Sequence, residues 1–260
     1  MTNKEALESL VAKLAGLQGD EALTDFVIIC GEREWKVHRV ILTLHSPVLA
    51  KAITGAFKES AERQINLSEE HPDCVDALVC YAYKLQYSLP DAGQGDVDHL
   101  DSLSFHVKVC VLADKYDIPH LKQMAIEKFK AGIDVAAEDL ATAAELAYDA
   151  SPATEKIRER IVAFGIENKL LSTAGKTGIS AVMGNNAEFA RDYAQALESR
   201  LDKYRVATQP NEHRYHCPST SCERTFVAAI PERCILGTFA CYWCEKSFHG
   251  DRWQHSRVKG

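Results

Sequence analysis

The sequence predicts a mixed α/β body, a helical extension and a small β-rich module held by cysteines. Three observations predict it. Two β-rich runs near the N-terminus, "DFVIIC" and "EWKVHRV", are separated by the turn-like "GERE" and followed by amphipathic helical patterns. From residue 103 to residue 205 the pattern is helical almost throughout. A polar stretch, "ATQPNEHR" at 207–214, then gives way to one short phrase written twice, "YHCPSTSCERTF" and "FACYWCEKSF".

Length and charge bound the reading. At 260 residues the chain can bury one good core or two modest ones, and a further small module would need a staple. The net charge of −7 is unevenly spread: residues 205–260 hold eight Lys/Arg against five Asp/Glu, so +3, which leaves −10 for residues 1–204. The larger part is therefore a poor nucleic-acid binder, and the tail is only weakly basic. No long apolar run suits a membrane span. The N-terminus mixes Lys and Glu with no small-residue cleavage site, so it does not read as a secretory signal. An intracellular location follows as the expectation, cytoplasmic or nuclear. In that reducing setting nine cysteines point to core residues or metal ligands rather than to disulfides.

The elements follow in order. Leu7, Leu10, Val11, Leu14 and Leu17 fall at helical spacing within residues 1–22, with Gly16 and Gly19 at the fading end. After the hairpin, "ILTLHSPVLAKAIT" is helical, and Ser46-Pro47 starts a fresh helix because proline suits a first turn. "RQINL" is a short strand, and "HPDCVDALVCYAYKLQYS" is a long helix opening near Pro72. "LPDAGQGDVDHLDSLS" carries four Asp and no basic residue and reads as a solvated loop, since its spacing is not that of a calcium loop. "FHVKVCVLADKYDIPHLKQMAIEKF" breaks once, at Ile118-Pro119. Three amphipathic segments follow, "EDLATAAELAYDA", "EKIRERIVAFGIENKLL" and "EFARDYAQALESRLDKY", with no repeat period.

Residues 23–130 carry a set of phrases in order: Asp-Phe-Val ahead of a hairpin, Val-His-Arg, Ser-Pro, Phe-Lys-Glu-Ser and Ala-Asp-Lys-Tyr-Asp. Together they resemble a BTB/POZ domain, and the full arrangement is similar to that of fungal-type BTB proteins with C-terminal Cys pairs. The resemblance implies an α/β interaction domain, a small sheet flanked by helices, often a homodimer and without a catalytic centre. The organisation is then an N-terminal helix at 1–22, the BTB/POZ domain at 23–130, a helical extension at 131–206, a linker at 207–214 and a cysteine-bearing module at 215–260. The residues agree that this is no enzyme. His38, His45, His71 and His106 fall at amphipathic or surface positions, and none lies in a nucleophile motif. "AGKTG" at 174–178 is not a phosphate loop, because Leu170 stands where the pattern needs glycine.

The resemblance also names interface residues. The apolar face at Leu7, Leu10, Val11 and Leu14 would lie against a second chain, and Asp25 and Arg39 match a pair near the dimer face. The plainer alternative is a hairpin-end Asp and an exposed Arg. Phe57-x-Glu59 matches the pattern by which some BTB domains dock on a cullin scaffold of a ubiquitin ligase. The alternative puts Phe57 in the local core.

The repeated phrase answers to metal chemistry. A tetrahedral Zn²⁺ needs four ligands, and thiolates near a tight turn supply two at a time. Cys217-x4-Cys222 and Cys241-x2-Cys244 are two such pairs, separated by a length that lets two short strands run out and back. Each is preceded by an aromatic (Tyr215, Phe239) and followed by Phe (Phe226, Phe248), which would supply the core of a zinc ribbon. One rival is a compact site of Cys241, Cys244, His249 and His255; another is free thiols in a frayed tail. Cys234 falls mid-loop, and Cys30, Cys74, Cys80 and Cys110 read as buried structural thiols.

Two functions compete. The first is an adaptor that self-associates or recruits other proteins, possible partners including a cullin, with structural Zn²⁺ in the tail. The second is a nucleic-acid-directed regulator, in which Tyr242, Trp243, Trp253, Arg252, Arg257 and Lys259 would stack on bases and meet phosphates; the alternative for the aromatics is core packing plus one or two exposed rings. The low tail charge favours the first. Four thiolates leave zinc no open position for substrate, which places an enzyme last.

Overall fold

The computed structural model describes residues 3–90, 100–134, 139–150, 152–171, 178–208, 213–228 and 238–258. The acidic loop at 91–99, most of "AGKTG", residues 209–212 of the linker, Cys234 and Lys259 lie outside the described residues. The chain divides into two units, Met1–Ala196 and Leu197–Gly260.

The first unit is built on a three-stranded sheet. β1 (Phe26–Cys30) lies between β2 (Arg33–Val37) and β3 (Gln64–Asn66), antiparallel to the first and parallel to the second. Period-two alternation turns Phe26, Ile28 and Cys30 into the core. The turn after β1 needs a residue free of a Cβ, and Gly31 supplies it at φ 60°. β2 is tied to the helix beyond the sheet: Arg33 pairs with Asp73 at 2.7 Å, and the Trp35 indole N–H donates to Asp76 at 3.0 Å.

The Ser46-Pro47 break works as a cap. Between α2 (Arg39–His45) and α3 (Pro47–Thr54), Ser46 is extended, and its Oγ accepts the Leu49 amide at 2.9 Å. The same hydroxyl donates to the Tyr116 carbonyl, fixing this corner against a later helix. α1 (Asn3–Gly16) packs on α5 (Pro72–Lys84). A short helix that the periodicity does not foretell, α4 (Lys58–Glu62), follows Phe57.

α6 (Ser102–Lys115) is the centre of the unit. α5, α7 (Pro119–Gly132) and α8 (Leu140–Asp149) all pack on it, so it is buried on most of its circumference. Asp101 caps it by accepting the Ser104 amide at 2.8 Å. α9 (Glu155–Glu167), α10 (Ile179–Asn185) and the start of α11 (Ala187–Thr208) extend the same core, which runs without interruption from Phe26 to Tyr193.

That packing corrects the placement of two histidines. His106 on α6 and His38 before α2 are buried, not at the surface. Each is held by a tyrosine: His106 Nδ1 lies 3.0 Å from the Tyr87 hydroxyl, and His38 Nδ1 lies 2.7 Å from that of Tyr83. Burial first, and the Lys128 charge second, push His106 down to about 4.

Among the described residues the second unit holds the end of α11, two hairpins and a short helix. β4 (His213–His216) pairs with β5 (Thr225–Ala228), and β6 (Thr238–Ala240) pairs with β7 (Ser247–His249), all antiparallel. α12 (Gly250–His255) follows, and the chain then returns to β4, with the His216 amide donating to Ser256 and the Val258 amide to Arg214, each at 2.8 Å. Among the described residues no helix is long and apolar enough to cross a membrane.

Candidate metal centre and binding faces

The doubled phrase is a doubled hairpin. Tyr215 faces Phe226 across the first and Phe239 faces Phe248 across the second, so each aromatic pair is one cross-strand contact. The spacing from aromatic to cysteine places each Cys pair at the hairpin's turn. There the two turns repeat their bonding. The Cys217 amide donates to Arg224 at 2.9 Å and the Cys241 amide to Lys246 at 3.0 Å. Beyond each leading cysteine, a backbone N–H points at its sulfur: Ser219 at Cys217 and Trp243 at Cys241, both at 3.4 Å.

The four sulfurs meet. Cys217, Cys222, Cys241 and Cys244 place their Sγ atoms within 4.8 Å of one another, with Cys217 to Cys244 at 3.7 Å and Cys222 to Cys241 at 3.9 Å. Sulfurs held about 2.3 Å from a tetrahedral zinc are about 3.8 Å apart, so these two edges fit such an ion. Among the described residues this is the group of three or more metal-ligating side chains that closes in this way. The rival ligands are not part of that group: His255 is exposed with Nδ1 2.7 Å from the Asp251 carbonyl, and His249 is exposed on β7.

Electrostatics make the cluster costly without a cation. Desolvation first, with neighbouring thiols adding to it, pushes Cys217 up to about 12. Desolvation works the same way on Cys241, but the Cys244 and Trp243 backbone N–H groups outweigh it and hold that thiol at about 7. Four thiolates this close repel one another, and a soft divalent ion answers that repulsion.

Of the aromatics that could either stack on bases or pack in a core, Trp253 takes the core. It is fully buried, its indole N–H donates to the Phe239 carbonyl at 2.9 Å, and Tyr215, Phe226 and Phe248 all meet it edge-on. It is the core of the module and is no stacking platform for bases. Tyr242 and Trp243 are exposed, Tyr242 by 81%, and the Arg224 guanidinium lies 4.7 Å above the Trp243 ring. Arg252 and Arg257 are exposed.

The predicted interface residues of the first unit divide. Leu14 packs against its own body, as does Leu17, whereas Leu7 and Leu10 are 61% and 53% exposed and Val11 is half-buried. Asp25 and Arg39 are brought together, but the Asp25 carboxylate accepts the Arg39 backbone amide at 2.8 Å, capping α2. The Arg39 guanidinium donates to the Ile53 carbonyl. Phe57 is 59% exposed at the N-terminus of α4, and Glu59 is half-buried. Of the four cysteines read as structural, Cys30, Cys74 and Cys110 are buried and Cys80 is half-buried.

Residues 14–132 match the family model for the BTB/POZ domain. Human Kelch-like protein 38 is 32% identical over 74 residues, 28% of this chain and 13% of that protein. Mouse TD and POZ domain-containing protein 3 is 27% identical over 119 residues, 46% of this chain and 30% of that protein. BTB and MATH domain-containing protein 42 of Caenorhabditis elegans is 30% identical over 104 residues, 40% of this chain and 23% of that protein. The chain thus spans less than a third of the length of these curated relatives. Among solved structures, the BTB domain of zebrafish PATZ1 aligns over 50% of this chain and 97% of its own, at 13% identity and a TM-score of 0.39.

Proposed function

Since residues 14–132 form a BTB/POZ domain, we propose that the chain is a protein–protein interaction or adaptor protein that self-associates through α1, with a structural Zn²⁺ in its tail. The observation that carries self-association is the split face of α1. Leu14 and Leu17 anchor the helix to its own body, which leaves Leu7 and Leu10 outward on a fixed support. A fully buried leucine contributes about 1.5–3 kcal/mol relative to an exposed one, so a second chain covering both gains a substantial share of a dimer's affinity. Sedimentation of the full chain should show a homodimer at micromolar concentration. Leu7→Asp with Leu10→Asp should leave the melting temperature of the monomer unchanged and disperse the dimer. A parent chain that sediments as a monomer at tens of micromolar would sink the reading.

For the tail, Cys217, Cys222, Cys241 and Cys244 would hold the zinc, and four thiolates suit a structural ion with no position left for substrate. The chain needs no catalytic residue in this reading. A nucleic-acid role for the tail draws support from the exposed Tyr242 and Trp243, but the net +3 across residues 205–260 is low for it. A second reading of the body, docking on a cullin scaffold, is favoured by one observation: the Phe57 ring is exposed and so free to enter an apolar pocket. Pull-down with a purified cullin tests it.

A further inference from the structure

The four knuckle thiols differ in access. Cys217 and Cys241 are buried, while Cys222 and Cys244 are half-buried and, with Ser221, Glu223, Arg224 and Trp243, line an open groove of about 480 Å³. Each accessible sulfur has a buried one of the other hairpin as its near neighbour, Cys222 with Cys241 and Cys244 with Cys217. Among the other described cysteines Cys30, Cys74 and Cys110 are buried and Cys80 is half-buried. Cys222 and Cys244 combine access with a second sulfur within 4 Å that can trap a sulfenic acid, which directs disulfide formation to this groove.

We propose that Cys222 and Cys244 form a peroxide-sensitive modification site, at which oxidation replaces the metal centre by a disulfide joining the two hairpins and releases the ion. This rests on the zinc reading above. The Cys222 or Cys244 thiolate attacks one oxygen of hydrogen peroxide; the O–O bond breaks, hydroxide leaves, and the sulfur becomes a sulfenic acid. The neighbouring thiolate, Cys241 or Cys217, attacks that sulfur; the S–O bond breaks, a second hydroxide leaves, and the S–S bond forms. The two sulfurs give up two electrons, peroxide takes both, and two solvent protons turn the hydroxides into water. The sulfurs close from 3.7–3.9 Å to about 2.05 Å. Two thiolates are consumed in the disulfide, and the two that remain would be too few to retain a tetrahedral ion.

The test uses the full chain carrying Cys234→Ser, so that Cys234 takes no part. Zinc content is measured first by elemental analysis. The protein is then titrated with hydrogen peroxide while a chromogenic chelator reports free zinc, and tryptic peptides are mapped by mass spectrometry. Cleavage after Arg224 and Lys246 puts Cys217 and Cys222 on one peptide and Cys241 and Cys244 on another. The expected result is loss of the whole zinc content together with a crosslink between those two peptides, reversed by dithiol and added zinc. A zinc-loaded protein that keeps its metal at peroxide levels that oxidise free cysteine overturns the proposal and leaves the zinc reading standing. So does a bridge within one pair, Cys217 to Cys222. A protein that is purified without zinc overturns the metal reading, and this inference with it.

Discussion

The body buries Phe105, Phe129, Phe189 and Tyr83 among a continuous run of aliphatic side chains, whereas among the described residues the tail's buried cluster is Tyr215, Trp253, Cys217 and Cys241. The first is a core in the ordinary sense, where apolar area removed from water offsets the entropy of ordering the chain. The second is too small for that: its few rings gather around Trp253, and four sulfurs converge within the same small module. One region is held by area; the other gathers four thiols that could hold a metal ion in its place. They should therefore fail under different insults.

Metal removal is the sharpest way to separate them. Structural zinc is worth about 10–16 kcal/mol of apparent binding energy in finger peptides, so chelation should unfold the tail and leave the melting of the body unchanged. The buried Trp253 indole N–H, bonded to the Phe239 carbonyl, gives a direct readout by proton NMR. Cys217→Ser or Cys244→Ser should lose the ion, and Cys234→Ser should keep it. If Cys217→Ser with Cys222→Ser retains full zinc and His255→Ala loses it, the site belongs to the Cys241, Cys244, His249 and His255 set instead.

Acid should act on the body through His106. The sign follows from which state binds the proton first. Its folded value, about 4, lies below the ordinary 6.5, so the unfolded chain protonates while the folded chain does not. Stability from this group is complete above pH 6.5, falls as pH drops through that window, and is lost by about 3 kcal/mol once pH is below 4. Denaturant unfolding of His106→Gln between pH 7 and pH 4 should show a slope shallower by about one proton. A parallel slope in parent and variant would mean that His106 charges inside the fold.

The two regions also differ in how much of them could be read in advance. The tail was legible because its signal is strictly local: an aromatic two residues before a cysteine and a phenylalanine four after becomes one cross-strand pair beside one turn. What stayed open was Trp253, between stacking and core, since a single tryptophan in the six-residue α12 has no period to reveal its inner face. The body's hairpin and the Ser46-Pro47 break were legible for the same local reason. His106 was not, because α5, α7 and α8 bury most sides of α6 and periodicity then says little about exposure, and His38, at the N-cap of α2, lies outside any period. α4 escaped because five residues are too few to show a helical period. The Asp25–Arg39 proximity was visible in sequence, but its chemistry was not: no residue pattern distinguishes a carboxylate on a guanidinium from one on a backbone amide.

The smallest expected effect on stability falls at Phe57, and its smallness is the point. A core phenylalanine truncated to alanine costs about 3–5 kcal/mol, as Phe129 in α7 should. Phe57 is 59% exposed and makes no side-chain cap bond at the start of α4, so Phe57→Ala should change stability by about 0.5 kcal/mol or less. Its effect on binding should be of another order if the loop docks on a cullin, because truncating an aromatic anchor of an interface typically costs about 2 kcal/mol or more. Glu59→Ala, removing a rim charge, should cost under about 1 kcal/mol and only weaken the complex. Melting temperature and pull-down measured on the same variants separate the cases. An unchanged melting temperature with the complex abolished assigns Phe57 to a partner. A drop in melting temperature as large as that of Phe129→Ala would return the ring to its own fold and remove the docking reading with it.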